Sequence, residues 1–209
     1  MDSQIDPPET PYPPAPWRMR GSMWMGLLPT DQPTPCPAGL VPILPRRLVV
    51  GVVRYKEGTL RYDEFLVGTM VRLGRRAGIF VHGIWVDDLA SLWGGRRIWG
   101  LDKQLAEFHW TGEDTVTITG ERGTLAALTV DRRSPQLPPA WLPMTGIGSL
   151  GDDWAFVTGR IRARIGTGRM RVTDWAPHLP ALRARQARMC TVSRSFRMTV
   201  PAPALIPRG

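Results

Sequence analysis

Between residues 48 and 86 the chain is a succession of apolar runs broken by turn residues: LVVGVVRY, KEGT, LRYDEFLVGTMVRL, GRRAG and IFVHGIWV. Runs of this length, rich in valine, isoleucine and aromatic residues and bounded by glycine, suit strands better than helices. They commit this region to β-structure, with 48–55 and 60–73 joined as a hairpin and 79–86 as a central strand. The pattern recurs in LAEFHW, TVTI, LAALTV, WAFVTGRIRARI near 154–165 and MCTVSRSFRMTV near 189–200. Two helices are expected, DLASLWGG, capped by Asp87 and ended by Gly94 and Gly95, and PALRARQARM. The fold class is therefore mainly antiparallel β (α+β), a strongly curved or closed sheet that manages its own edges, with a few short helices.

The 209 residues suffice for one domain with a sizeable core. Residues 1–16 read as an extended proline-rich arm, and residues 17–209 as a single β domain beginning with the strand-like WRMRGSMWMG, where Gly21 permits a bulge. Residues 29–47 read as a long ordered loop, with Cys36 structural. Two cysteines and no amino-terminal export signal predict a cytoplasmic protein with reduced thiols. No run approaches the roughly 18 apolar residues of a membrane-spanning helix. His82, His109 and His178 are too scattered for a zinc site, and no metal or cofactor is expected. His82, on the central strand, reads as a neutral core histidine rather than a base.

Only two of the 27 basic residues are lysines, Lys56 and Lys103. Lys56 lies in a turn. Lys103 follows the apolar approach Ile98, Trp99, Leu101, and an amine covered by such residues is disfavoured in its charged form, as a Schiff-base nucleophile requires. A snorkelling lysine is the plainer reading of the pattern alone. In LRYDEFLV, strand alternation puts Tyr62 and Glu64 on one face with Leu60 and Leu66, so Glu64 is a carboxylate among apolar neighbours.

The glutamate-bearing strand LRYDEFLV, the strand and acidic pair GIFVHGIWVDD, the glycine-arginine exit at Gly95–Arg96, and WG-x-x-K-x-LA from Trp99 to Ala106 occur in the order of the acetoacetate decarboxylase family, which the chain resembles from about Trp17 to Met198. The resemblance implies a conical β-barrel that assembles into homo-oligomers. It makes Lys103 the residue that forms an imine with a small-molecule keto acid, and Glu64 a catalytic proton carrier. Arg20, with Arg18 as second match, becomes the anchor for the substrate carboxylate, and Trp99 and Tyr62 become substrate contacts. The second lysine of the family pair is replaced by Gln104, and the proline before the nucleophile by Asp102. An acid there would hold the amine charged if the two met, but neighbours in an extended segment point apart.

The expected function is a Schiff-base lyase, most simply a decarboxylase of a β-keto acid such as acetoacetate. Alternatives are an aldolase-dehydratase acting on pyruvate and an aldehyde, and a non-catalytic keto-acid binder. Ten arginines between Arg160 and Arg197 raise nucleic acid as a further partner. That reading is disfavoured because no recognition module accompanies them, and an oligomer interface or solvated sheet face is preferred.

Overall fold

In the computed structural model, which describes residues 12–208, the apolar runs become thirteen strands and one helix. In order they are β1 (Trp17–Pro29), β2 (Val41–Pro42), β3 (Arg47–Gly58), β4 (Tyr62–Leu73), β5 (Arg76–Val86), α1 (Leu89–Trp99), β6 (Lys103–Thr111), β7 (Thr115–Gly120), β8 (Gly123–Arg132), β9 (Ala140–Leu150), β10 (Asp153–Ala163), β11 (Gly166–Trp175), β12 (Gln186–Val200) and β13 (Ala204–Pro207). Residues 1–11 of the expected arm lie outside the described residues. Trp17, fully buried, ties the rest of that segment down by donating to the Pro13 carbonyl at 2.8 Å.

The strands form one curved sheet, ordered β13-β10-β9-β5-β6-β7-β8-β11-β12-β1-β3-β4-β2, and additional β4–β5 and β10–β12 pairings make it return on itself. Pairing is antiparallel except where β5 meets β6 and β9. Two faces of the same strands consequently bury different side chains. In β3 and β4, Val50, Val52, Phe65 and Val67 enter one core. Val53, Tyr55 and Tyr62 enter a second core on the other face, together with Trp17, Leu92 and Trp99. A period of two thus assigns each residue of these strands to one core or the other.

The expected hairpin is present, with Tyr55 opposite Tyr62. The ladder between β4 and β5 skips His82, leaving a bulge between Val67–Gly83 and Gly68–Val81. His82 meets the Thr69 hydroxyl at 2.8 Å, and burial lowers its pKa from 6.5, so it is neutral at physiological pH.

The helices differ from expectation. Asp88, not Asp87, caps α1, accepting from the Ser91 amide at 2.6 Å. The helix runs straight through Gly94 and Gly95 and ends at Gly100 in the left-handed region, φ 61°. The two glycines are there for close approach rather than as a stop. A Cβ at Gly94 would lie 2.5 Å from the Trp17 ring, and one at Gly95 2.5 Å from the Lys103 side chain. The other expected helix is absent: the chain runs irregularly past Pro180 and enters β12, whose Ala187, Cys190 and Val192 fill the first core. Strands β9 and β11, which carry threonine and glycine where the earlier strands carry valine, were not expected.

The end of α1 is docked on β9, where the Ser149 amide donates to the Gly100 carbonyl at 2.8 Å. A Cβ at Gly148 would stand 2.0 Å from the Trp99 carbonyl oxygen, and backbone cannot yield as a side chain can. Gly148→Ala is therefore expected to lower stability by about 1–3 kcal/mol, read as a shift in urea midpoint at unchanged slope.

Candidate active site around Lys103

Among the described residues only two charged side chains are buried, and they touch each other. Lys103 is 3% exposed and Glu64 6%, and the lysine Nζ donates to Glu64 Oε2 at 2.7 Å. Each is placed by a different rule. Glu64 sits on the Tyr62 face of β4, opposite Val53 of β3 and Val86 of β5. Lys103 opens β6 directly after the Gly100–Leu101–Asp102 link from α1, in parallel register with Ile84. The Arg96 side chain fixes the lysine backbone by donating from Nε to the Lys103 carbonyl at 2.8 Å.

The rest of the amine's surroundings come from α1 and the tyrosine pair. Lys103 Nζ donates to Ser91 Oγ at 3.0 Å and lies 5.0 Å from the centre of the Tyr62 ring. The Tyr55 hydroxyl donates to the other carboxylate oxygen, Glu64 Oε1, at 3.3 Å. The lysine stem runs along Gly95, which has no side chain to displace it. Burial, then the negative charge of Glu64, pushes the hydroxyls of Tyr55 and Tyr62 well above their usual range. Both phenols thus remain protonated near neutrality.

Of the residues singled out in the sequence, the structure brings together Lys103, Glu64 and Tyr62. Trp99 is buried in the same core, but its indole packs edge-on against Trp17 at 4.6 Å and donates to the Pro201 carbonyl at 2.8 Å. Gly95 and Tyr62 supply the wall against the lysine instead. Arg18 and Arg20 do not join the site. Alternation in β1 sends Trp17 and Met19 into the second core and turns Arg18 and Arg20 outward, where Arg20 meets Glu57 at 3.6 Å. Asp102 is directed away from the amine, its side chain 87% exposed and 3.5 Å from Arg96. Gln104 is on the far side of the strand, opposite Trp85.

Ser91 and Tyr55 are members that sequence reasoning missed. Tyr55 was within reach of it, because the hairpin sets Tyr55 opposite Tyr62. Ser91 required knowing that Asp88 starts the helix. Two surface grooves among the described residues, of about 1060 Å³ and 480 Å³, are lined by neither Lys103 nor Glu64. No cluster of three His, Cys, Asp or Glu residues suited to a metal occurs among the described residues.

The sequence pattern of the acetoacetate decarboxylase family matches residues 36–179. The chain belongs to that family. The matched span contains Tyr55, Glu64, Ser91 and Lys103 and excludes Arg18 and Arg20. Among solved structures, the acetoacetate decarboxylase of Legionella pneumophila is 17% identical with a TM-score of 0.72, over 98% of this chain and 93% of that one. An acetoacetate decarboxylase-like enzyme from Sphingomonas wittichii is 17% identical with a TM-score of 0.66, over 99% and 98%. The enduracididine biosynthesis enzyme MppR complexed with pyruvate is 18% identical with a TM-score of 0.62, over 94% and 92%. At these identities the likeness is one of fold. No curated protein sequence matches the chain.

Removing one member of a buried ion pair strands the other. Lys103→Met is expected to destabilise the protein by about 3–5 kcal/mol, and Glu64→Leu added to it should restore most of the loss; chemical denaturation of the single and double variants measures both. The tyrosines give a second expectation, because their folded values lie above the unfolded value of 10.0. Their contribution is complete below the unfolded value and lost as pH rises through the folded ones. Stability should therefore hold up to about pH 10 and fall as pH rises further, less steeply in Tyr55→Phe or Tyr62→Phe.

Proposed function

We propose that this member of the acetoacetate decarboxylase family is a lysine Schiff-base lyase of a small keto acid. The observation that carries the reading is the 2.7 Å contact between a buried amine and a buried carboxylate, with the Ser91 hydroxyl at 3.0 Å. Glu64 takes the ammonium proton, and the freed amine of Lys103 adds to the keto carbon to give a carbinolamine. Ser91 and Glu64 hold the hydroxyl that leaves as water, and the product is a protonated imine. In a β-keto acid the electrons of the bond to the carboxylate then move toward the iminium nitrogen as carbon dioxide departs. The enamine left behind takes a proton at carbon through Glu64, which has returned its first proton to the departing water and draws another from solvent, and water then releases the ketone while regenerating the amine.

Tyr55 has a supporting part in this scheme. Its donated hydrogen bond keeps Glu64 Oε1 occupied and presents Oε2 to the amine. The substrate carboxylate is not met by an arginine of β1. It would lie instead against the apolar wall of Tyr62, Val86 and Leu92, surroundings that favour neutral carbon dioxide over a carboxylate. Since the amine is covered, a movement of the chain must admit the substrate.

A second reading keeps the imine and changes its fate. MppR has been seen with pyruvate and with the condensation product of pyruvate and imidazole 4-carboxaldehyde. On that reading the enamine of pyruvate attacks an aldehyde rather than arising by decarboxylation.

The protein is incubated with acetoacetate or with pyruvate, reduced with borohydride, and examined by intact mass and peptide mapping. A reduced adduct on the peptide containing Lys103 is expected, absent in Lys103→Ala and slowed at least about tenfold in Glu64→Gln. Carbon dioxide release from acetoacetate supports decarboxylation, and consumption of an aldehyde with pyruvate supports condensation. The absence of an adduct with every keto acid tried would overturn imine chemistry and leave a non-catalytic binder.

A further inference from the structure

Three adjacent strands on the outward side of the second core carry arginines in register. Arg162 of β10 is opposite Arg197 of β12, which is opposite Arg20 of β1. One step along, Arg160 and Arg18 flank Thr199 from either side. Directly opposed like charges on one sheet face destabilise it, and the usual remedy is an interleaved acid. The only carboxylate in this patch is Glu57, next in the row after Arg20 and 3.6 Å from it. Among the described residues Arg18, Arg160, Arg162 and Arg197 make no ion pair within 4 Å. By contrast, Arg54, Arg132 and Arg171 each have an aspartate.

The same row continues to an aromatic residue. Trp141 of β9 is opposite Arg162, shares its face, and is 67% exposed, among the most exposed large hydrophobic side chains described. Trp141, Arg18, Arg20, Arg160 and Arg197 wall a groove of about 480 Å³. That size suits a small molecule. Guanidinium forks match phosphate oxygens two at a time, and several of them side by side suit a ligand that carries several negative charges close together. A lone exposed tryptophan offers one stacking surface, whereas surfaces that hold single-stranded nucleic acid present a succession of them.

We propose that this groove is a binding site for a nucleoside polyphosphate, with the phosphates on Arg160, Arg197 and Arg18 and the base on Trp141. Four guanidiniums against one carboxylate in its wall complement a ligand with several negative charges, and binding relieves the repulsion within the row. The site lies on the opposite side of the sheet from Lys103, and its residues contribute nothing to the amine's surroundings. The inference is therefore independent of the lyase reading.

Titration calorimetry with adenosine triphosphate, inorganic tripolyphosphate and adenosine tests it. Adenosine triphosphate should bind with an affinity that falls as salt is added, and adenosine should not. Arg197→Gln or Arg160→Gln should weaken it about tenfold or more, without lowering the melting temperature, since each removes a like charge. Trp141→Ala should weaken adenosine triphosphate about tenfold and leave tripolyphosphate unaffected. The borohydride adduct at Lys103, where native protein gives one, should persist in all three variants, which separates failure of this proposal from failure of the lyase. Equal binding of tripolyphosphate and adenosine triphosphate with no effect of Trp141→Ala would overturn the nucleotide. Binding of an oligothymidylate where adenosine triphosphate fails would assign the face to nucleic acid. A change in sedimentation of Arg197→Glu, with no nucleotide bound by native protein, would assign it to a second copy of the chain.

Discussion

Helix α1 can lie against the sheet because two of its residues lack side chains. Gly94 receives the ring of Trp17 and Gly95 receives the stem of Lys103, each at a distance that a methyl group would forbid. Glycine inside a helix costs about 1 kcal/mol relative to alanine. Here that cost is offset by burial of a tryptophan and by a cover over a charged pair. Remove the close approach and the Ser91 hydroxyl moves away from the amine, Arg96 from the Lys103 carbonyl, and the Gly100 link from Ser149 of β9. The candidate site is in this sense a property of the helix–sheet contact.

A buried lysine–glutamate pair is a weak source of stability, because desolvating two charges takes back much of what their attraction gives. Among the described residues the interior holds no other charged side chain, which is why the proposed function assigns the pair to chemistry rather than to folding. The neighbours are arranged to fit that reading. Tyr55 and Ser91 each occupy one remaining polar position, Tyr62 offers its ring to the ammonium, and Asp102 is drawn off by Arg96. An acid adjacent in sequence is thus separated from the amine by strand alternation and by an ion pair of its own.

Much of this was legible in the chain. Short apolar runs between glycine turns gave β3, β4 and β5, and a period of two put Glu64 beside Tyr62 on an apolar face. What failed did so for identifiable reasons. Gly94 and Gly95 read as a helix stop because propensity is local, whereas the tertiary neighbours that require glycine, Trp17 and Lys103, lie far away in sequence or beyond the apparent stop. Arg20 was placed by a loose match to a family, while alternation counted from Trp17 already sends it outward. The arginine rows were visible only as a composition bias, since their opposition across β10, β12 and β1 is set by register between segments that are not neighbours in sequence.

The pairing of Lys103 with one partner from the helix and another from the sheet divides its surroundings between two bodies. Ser91 and Gly95 belong to α1, which is joined to β6 by the short link through Gly100, while Glu64 and Tyr55 belong to continuous ladders. A small outward swing of α1 would uncover the amine and take the hydroxyl with it, yet leave Glu64 and Lys103 in register. The carboxylate would then be the fixed reference of the site and the serine its shutter, so that a ligand arriving at the exposed amine takes over the hydrogen bond that the helix gives up.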